Sequence, residues 1–204
     1  MANAFTSRRL TYRAVEDTPA DADLMHRIQS DYVALAASDS GLLKPMTREE
    51  SGKHRQYVAE KTLLGVIICL AHPPMQDQAI EKLDQEYTET AIGSICLTAP
   101  KSGREHHRNS YISLDILDAY QNKGYGTEAI NWVLEWGFQM AGLHRIGIES
   151  FSYNEGAQRL YQKLGFILEG RSRESLWYNG KWHDYLSFSM LEHEWRASRG
   201  ISYA

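Results

Sequence analysis

Cysteine is scarce in this chain: two residues, Cys69 and Cys96, among 204. Both lie in apolar, strand-like runs, so buried thiols rather than a disulfide are expected, and a disulfide-stapled scaffold is excluded. No apolar run approaches the roughly 18 residues that a membrane-crossing helix needs. The opening stretch, Met1 to Arg9, carries no apolar signal core. The expectation is a soluble cytoplasmic protein with no membrane partner. Positive charge is not in excess either. With 22 Lys and Arg against 26 Asp and Glu, the net charge is −4, which leaves no broad basic face for nucleic acid. Metal ligands do not cluster: His106 and His107 are adjacent on a polar turn from Pro100 to Asn109, and neighbouring turn positions seldom converge on one ion. A solvated hairpin tip is expected there, and no metal. Internal repeats are absent.

What is present is enough for one core. A hydrophobic content of 43% over 204 residues makes a single domain spanning 1–204 the default. Its most informative stretch runs from Tyr111 to Gly142. Tyr111 to Leu117 is rich in apolar and β-branched residues and has the length of a strand. Gln121-Asn122-Lys123-Gly124-Tyr125-Gly126-Thr127 follows, and then an amphipathic helix. Ile130, Val133, Leu134, Gly137, Phe138 and Ala141 mark its apolar face, and Gly142 marks its stop. A strand, a glycine turn and a helix N-terminus together make an anion holder. The first helical N–H groups lack partners, the helix dipole adds positive charge, and glycines let the backbone approach a phosphate closely. Taken alone, the two glycines also fit an ordinary strand-to-helix turn. The spacing matches neither the dinucleotide fingerprint nor the phosphate loop ending in Gly-Lys-Ser/Thr.

A second segment settles which device this is. Asn154-Glu155-Gly156-Ala157-Gln158-Arg159-Leu160-Tyr161-Gln162-Lys163-Leu164-Gly165-Phe166 follows the pattern Asn-x-x-Ala-x-x-x-Tyr-x-x-x-Gly-Phe. Together with Gln-x-x-Gly-x-Gly after a hydrophobic strand, it resembles the GNAT N-acetyltransferase superfamily, firmly over 111–195. The resemblance implies an α/β fold: one domain with a mixed, mostly antiparallel sheet whose central strands splay apart, flanked by helices. It also implies acetyl-coenzyme A as co-substrate, with a possible homodimer as the assembly. The motif around Gly124 and the closing hairpin from Trp177 to Tyr185 are similar to the subgroup of ribosomal-protein N-terminal and spermidine acetyltransferases. That subgroup often places Ile-Gly-Tyr where this chain has Tyr111-Ile112-Ser113.

The remaining elements read in order. Arg8 to Ala14 alternates like a first strand. Thr18, Pro19 and Asp21 open a helix through Leu24 and Ile28 to Leu35, and Asp39-Ser40-Gly41 breaks it. Thr47 to Glu50 resembles a capping box opening a polar helix to about Glu60. In the family these helices form part of the acceptor wall. Thr62 to Ala71 and Ala91 to Ala99 read as buried strands, and the polar residues 73–89 between them as an insertion or a short surface helix. A strand is expected from His144 to Phe151, a helix capped by Asn154 and ended by Gly165, and a strand at Phe166 to Glu169. Ser175 to Tyr178 and Trp182 to Leu191 then form a hairpin around Asn179-Gly180. Residues 196–204 read as a tail.

Acetyl transfer to an amine makes three demands. The amine must lose a proton from a pKa of roughly 8 to 10, the tetrahedral oxyanion needs a donor, and the leaving thiolate benefits from a proton. By resemblance, Tyr161 points its hydroxyl at the coenzyme sulfur; its alternative is core packing. Glu149, on the strand before Asn154, is the candidate base, with a surface carboxylate or a substrate-charge anchor as the alternative. Asp115 is the runner-up. The N–H groups of Asn122, Lys123, Gly124, Tyr125, Gly126 and Thr127 are expected to hold the diphosphate, and Gln121 and Lys123 to reach it with side chains. The backbone of Leu114 and Ile116 is expected to pair with the pantetheine arm, Ile116 N–H to steady the oxyanion, and Asn154 to bond the arm. Transfer to a primary amine of a small molecule, polyamine or peptide N-terminus in a ternary complex is the leading reading. A coenzyme-binding sensor or partner subunit without transferase activity is the other.

Overall fold

The structure, a computed structural model, describes residues 4–71 and 89–201. The proposed insertion at 73–89 therefore falls almost wholly outside the described residues.

Seven strands form one open sheet in the order β1-β2-β3-β4-β5-β7-β6. They are β1 Leu10–Ala14, β2 Thr62–Leu70, β3 Ala91–Thr98, β4 Asn109–Ile116, β5 Arg145–Phe151, β6 Ile167–Tyr178 and β7 Lys181–Leu191. Every pairing is antiparallel except that of β4 with β5. That parallel pair is short. It joins only Asn109 to Arg145, Ser110 to Ile146 and Tyr111 to Gly147, after which the two strands diverge. Gly147 keeps the base of the divergence tight: a Cβ there would lie 2.5 Å from the Tyr111 ring, far inside van der Waals contact.

Helices cover both faces. On one side α4 (Tyr125–Glu135) buries Ala129, Ile130, Trp132, Val133 and Leu134 against the sheet. Trp132 stacks on Tyr12 of β1 with ring centroids 3.7 Å apart. The helix does not stay regular to its end. Trp136–Met140 widens into a π-helical turn where Gly137 presses on Ile146, and Gly142, at φ 64°, stops the chain in the left-handed region. On the other side α1 (Pro19–Ser30) and α3 (Arg48–Glu60) enclose a second apolar cluster with Leu24, Met25, Ile28, Val58, Ile67, Cys69, Cys96 and Leu117. Thr18 caps α1 by accepting the Asp21 N–H. Asp21 is 1% exposed and gripped by both terminal nitrogens of Arg13 at 2.9 and 2.6 Å, tying α1 to β1. The Thr47–Glu50 capping box forms. Cys69 and Cys96 are buried free thiols, and burial pushes both up to about 11.

Three boundaries differ from the sequence reading. The first helix is two: Asp31 ends α1 and, by accepting the Ala34 N–H at 3.0 Å, starts α2 (Tyr32–Ser38). The two strand pieces expected at Phe166 and Ser175 are one strand, β6. An irregularity between Ser172 and Leu176 is absorbed where Glu174, at φ 49°, donates its N–H to Asp184 at 2.8 Å. At the C-terminal end α6 (Glu192–Ser198) carries the fold past residue 196, and Ile201 packs on the main core. The hairpin turn matches expectation, with Asn179 and Gly180 both at positive φ, 48° and 76°. Among the described residues, no helix is long and apolar enough to cross a membrane.

Candidate active site

The glycine turn is an open nest of donors. Asn122 and Gly124 both take left-handed backbone angles, φ 57° and 82°, so the intervening amides curve around one concavity. Gln121 N–H is bonded to Asp118 O at 3.0 Å and Glu128 N–H to Gly124 O at 3.2 Å. Between them, the six N–H groups from Asn122 to Thr127 have no hydrogen-bond partner among the described residues. The side chains expected to reach phosphate are turned elsewhere. Gln121 Nε2 donates to Ile116 O at 2.8 Å, and Lys123 Nζ to Ala119 O at 2.7 Å. Both brace the loop that carries the amides.

The edge of β4 leads from this turn into the molecule. Leu117 N–H bonds to Ile92 O at 2.9 Å, and antiparallel ladders alternate bonded and non-bonded pairs. With the register Ile116–Gly93, Asp115–Ser94, Leu114–Ile95, the backbone groups of Ile112, Leu114 and Ile116 therefore point away from β3 into the gap beside β5. The Ile116 carbonyl is taken by Gln121; its N–H is not. Side chains alternate as well. Leu114 and Ile116 pack on the α4 core, which turns Ser113 and Asp115 to the α2 face.

The gap opens into a cleft of about 660 Å³. Its walls include Ala34, Ala37 and Ser38 of α2, Tyr111 to Ile116 of β4, Ile148 and Glu149 of β5, and Asn154, Ala157, Leu160 and Tyr161. It is acidic: Asp31, Asp115, Asp118 and Glu149 line it, with no Lys, Arg or His among the lining residues. Tyr161 sits on α5 (Glu155–Leu164), its ring braced by Phe166 and Phe188 at 6.0 and 5.8 Å between centroids. Burial and then the charge of Asp115 push its phenol up to about 12, so it stays protonated and keeps a proton to donate. Burial pushes the Asp115 carboxyl above its usual range, against the hydroxyl of Ser38, which stands 3.1 Å away. Glu149 is exposed on the same face of the sheet. It lies beside Tyr185, whose phenol is raised by burial and by that carboxylate.

Asn154 is committed on two sides. Its Oδ1 accepts the Ala157 N–H at 3.1 Å, capping α5, and its Nδ2 donates to Ala37 O of α2 at 3.1 Å. Next to it, Tyr153 donates its hydroxyl to Ala36 O at 2.5 Å. Sequence reasoning missed Tyr153, Ser38 and Arg9. Arg9 meets the glycine turn only because β1 runs beside α4. Its Nε bonds Glu128 at 2.8 Å, its Nη1 bonds Lys123 O at 3.0 Å, and its guanidinium lies 4.6 Å over the Tyr125 ring. His106 and His107 lie with tilted rings, centroids 3.9 Å apart, on an exposed 3-10 turn, Glu105–His107. Among the described residues, no group of three or more His, Cys, Asp or Glu is arranged to hold a metal.

Comparison with known proteins points the same way. A sequence model of the acetyltransferase (GNAT) family matches residues 45–166, a stretch that includes the glycine turn, the splayed strands and Tyr161. The uncharacterized N-acetyltransferase YoaA of Bacillus subtilis is 32% identical over 110 residues, 54% of this chain and 60% of that protein. Spermidine N(1)-acetyltransferase of Escherichia coli K12 is 29% identical over 91 residues, 45% of this chain and 49% of its own length. The matched stretch thus spans about half the length of these curated relatives. Among solved structures, spermidine N-acetyltransferase from Vibrio cholerae, in complex with CoA and spermine, superposes with a TM-score of 0.70 at 20% identity. It covers 92% of this chain and 98% of that one, a likeness of fold. With more than half of its length matched by the family model, on a sheet whose central strands part over an acidic cleft, this chain belongs to the GNAT acetyltransferase family.

Proposed function

We propose that the protein transfers acetyl from acetyl-coenzyme A to a primary amine by direct attack in a ternary complex. The observation that carries this reading is the order of the groups. Six amides without a partner among the described residues follow Gln121, which lines the cleft, and the open β4 edge runs on from there to Tyr161 and two carboxylates. The amides suit a diphosphate, and the outward backbone of Leu114 and Ile116 suits the amide-rich pantetheine arm. The N–H of Ile116 is a donor for the oxyanion.

Asp115, partly buried, hydrogen-bonded to Ser38 and with its pKa raised by burial, is better placed than the exposed Glu149 to take the amine proton. The neutral amine then attacks the thioester carbonyl, the C–S bond breaks, the nitrogen sheds its second proton to solvent to become the amide, and Tyr161 donates to the departing sulfur. Its pKa of about 12 lies above that of a thiol, roughly 8.5. The phenol thus serves first as a hydrogen-bond donor, and any proton it gives up is replaced by the one Asp115 has taken. Direct attack is also favoured by the two thiols, which are buried in the sheet with raised pKa values and absent from the cleft lining. Four carboxylates on the cleft wall, with no Lys or Arg among its described lining residues, favour an acceptor carrying additional positive charge, of the polyamine kind, with Glu149 as charge anchor. The proposed setting is cytoplasmic, where acetyl-coenzyme A is at hand.

The test is release of free thiol from acetyl-coenzyme A across a panel of spermidine, spermine, short diamines and basic or neutral peptide N-termini. Tyr161→Phe is expected to lower kcat by roughly 10²–10⁴-fold with little change in the KM for acetyl-coenzyme A. Thiol release with no amine at all, or a Tyr161→Phe variant as fast as wild type, overturns the reading. Tight coenzyme binding without turnover would mark a binding module instead.

A further inference from the structure

The corner between β5 and α5 reaches across the cleft and takes hold of α2. The hydroxyl of Tyr153 and the amide of Asn154 satisfy the carbonyls of Ala36 and Ala37, which lie in the last turn of α2, where carbonyls have no partner within the helix. From the opposite lip, Asp115 of β4 meets the hydroxyl of Ser38, the last residue of α2, at 3.1 Å; Ala34 O competes for the same proton at 3.3 Å. So α2 is tied to both strands that part to form the cleft. Beyond these ties, the Asp31 cap and the Met46 N–H donated to the Tyr32 hydroxyl at 3.2 Å, little holds the helix. It is seven residues long, buries only Leu35 and Ala36, and leaves Val33 83% exposed; a helix this short does not persist on its own. Tyr153 is itself a fixed post, its ring 4.8 Å from both Tyr178 and His183 and 5.4 Å from Phe151.

We propose that Tyr153 and Asn154 are positioning residues for the acceptor: by clasping α2 they fix the wall against which the amine docks and, through Ser38, the orientation of Asp115. This rests on the reading that the amine binds between α2 and β4. It reassigns Asn154, whose resemblance-based role is to bond the coenzyme arm.

Two substitutions separate these roles. Tyr153→Phe removes the hydroxyl and keeps the ring stack. Asn154→Asp keeps the oxygen that caps Ala157 and replaces the donor facing Ala37 O with an acceptor. Steady-state kinetics are measured with spermidine, or with whichever panel amine the wild type acetylates. The KM for the amine is expected to rise roughly five- to tenfold in Tyr153→Phe and tenfold or more in Asn154→Asp. The KM for acetyl-coenzyme A should stay within about twofold, and amide exchange at Leu35 to Asp39 should quicken. A rise confined to the KM for acetyl-coenzyme A in Asn154→Asp overturns the clasp in favour of arm binding. A lowered melting temperature with both KM values unchanged overturns it in favour of a merely structural bond. Ser38→Ala adds a pH readout. The charged and titratable groups facing Asp115 among the described residues are His54 of α3, Asp39 beyond α2, Cys96 of β3 and Tyr161 of α5. Losing the Ser38 hydroxyl while these remain should move the acidic limb of kcat/KM to higher pH, and an unmoved limb removes Ser38 from the proposal. A wild type that acetylates no amine condemns the functional reading rather than the clasp, which the exchange measurement still tests.

Discussion

At the proposed coenzyme end of the cleft, the candidate binding groups are main-chain amides drawn from six consecutive residues, Asn122 to Thr127. At the proposed acceptor end, the wall is assembled from Asp31 and Ser38 of the α1–α2 region, Asp115 of β4, Glu149 of β5 and Tyr153 beyond it. The first end depends on backbone angles at two positions and a helix start. The second depends on side chains brought together across more than a hundred residues by hydrogen bonds such as Tyr153 to Ala36. Chemistry built from backbone survives most side-chain changes, whereas chemistry built from distant side chains can be retuned one residue at a time.

The largest break expected in this comparison lies at the acceptor end. Asp115→Asn removes the proposed base while keeping shape, and should lower kcat/KM by roughly 10²–10⁴-fold, leaving coenzyme affinity intact. Its stability should change in the opposite sense. The folded pKa of Asp115 lies above the unfolded value because burial disfavours the charge. Below the unfolded value, roughly 3.9, both states are protonated and the residue carries no penalty. As pH rises, the unfolded chain ionises first, so stability falls until the pH passes the raised folded value, and the penalty persists above it. Asn cannot ionise. The variant should therefore melt higher than wild type at neutral pH and equal to it near pH 3, as read by thermal unfolding at the two pH values. Glu149→Gln, exposed, should produce a milder rise in amine KM with no such gain in melting temperature.

The next effect belongs to the coenzyme end. Gly124 stands at φ 82°, and a Cβ there would also come within 3.3 Å of Arg9. A β-branched residue pays roughly 1–2 kcal/mol for the left-handed backbone and disturbs the amides that it orients. Gly124→Val should weaken coenzyme A binding about 100-fold by calorimetry. Acetyl-pantetheine, which lacks the diphosphate, should be used at a nearly unchanged rate. Equal losses with both donors would mean that the turn does not select phosphate.

The same division explains what could be read from the sequence. The glycine turn, the Asn154 cap, the Thr47 box and the Asn179-Gly180 hairpin are local, and residue type at short spacing specifies each of them. The break at Asp31 was equally local: an N-cap residue inside an apolar period, masked because Leu24, Ile28 and Leu35 keep a helical spacing across it. The sequence divides β6 in two because Gly170 to Glu174 is polar, and only pairing with β7 shows that one strand bridges it. Ser38 and Tyr153 gave no local signal at all, since each acts on a partner 77 or more positions away. The choice between Asp115 and Glu149 turns on enclosure. Alternation assigns each residue a face but not its depth, because α2, which helps enclose Asp115, comes from another part of the chain.

Arg9 offers the smallest effect and the finest test of the coenzyme end. Glu128 lies in the first turn of α4, 14% exposed, where a negative charge would oppose an incoming phosphate. Burial pushes its carboxyl up, but bonds from Ser7 and from the N–H and Nε of Arg9 outweigh that and hold it ionised, below the usual range. Arg9 thus cancels a charge that the anion site would otherwise meet. Arg9→Ala should raise the KM for acetyl-coenzyme A about three- to tenfold, an amount typical of one partly exposed charge, and leave the KM for the amine unchanged. If cancellation is the cause, adding Glu128→Gln to Arg9→Ala restores most of the loss, and the pair is strongly non-additive. If Arg9 serves only to prop the turn through Lys123 O, the double variant is no better than the single one. The electrostatic account of this end of the cleft would then reduce to the backbone amides alone.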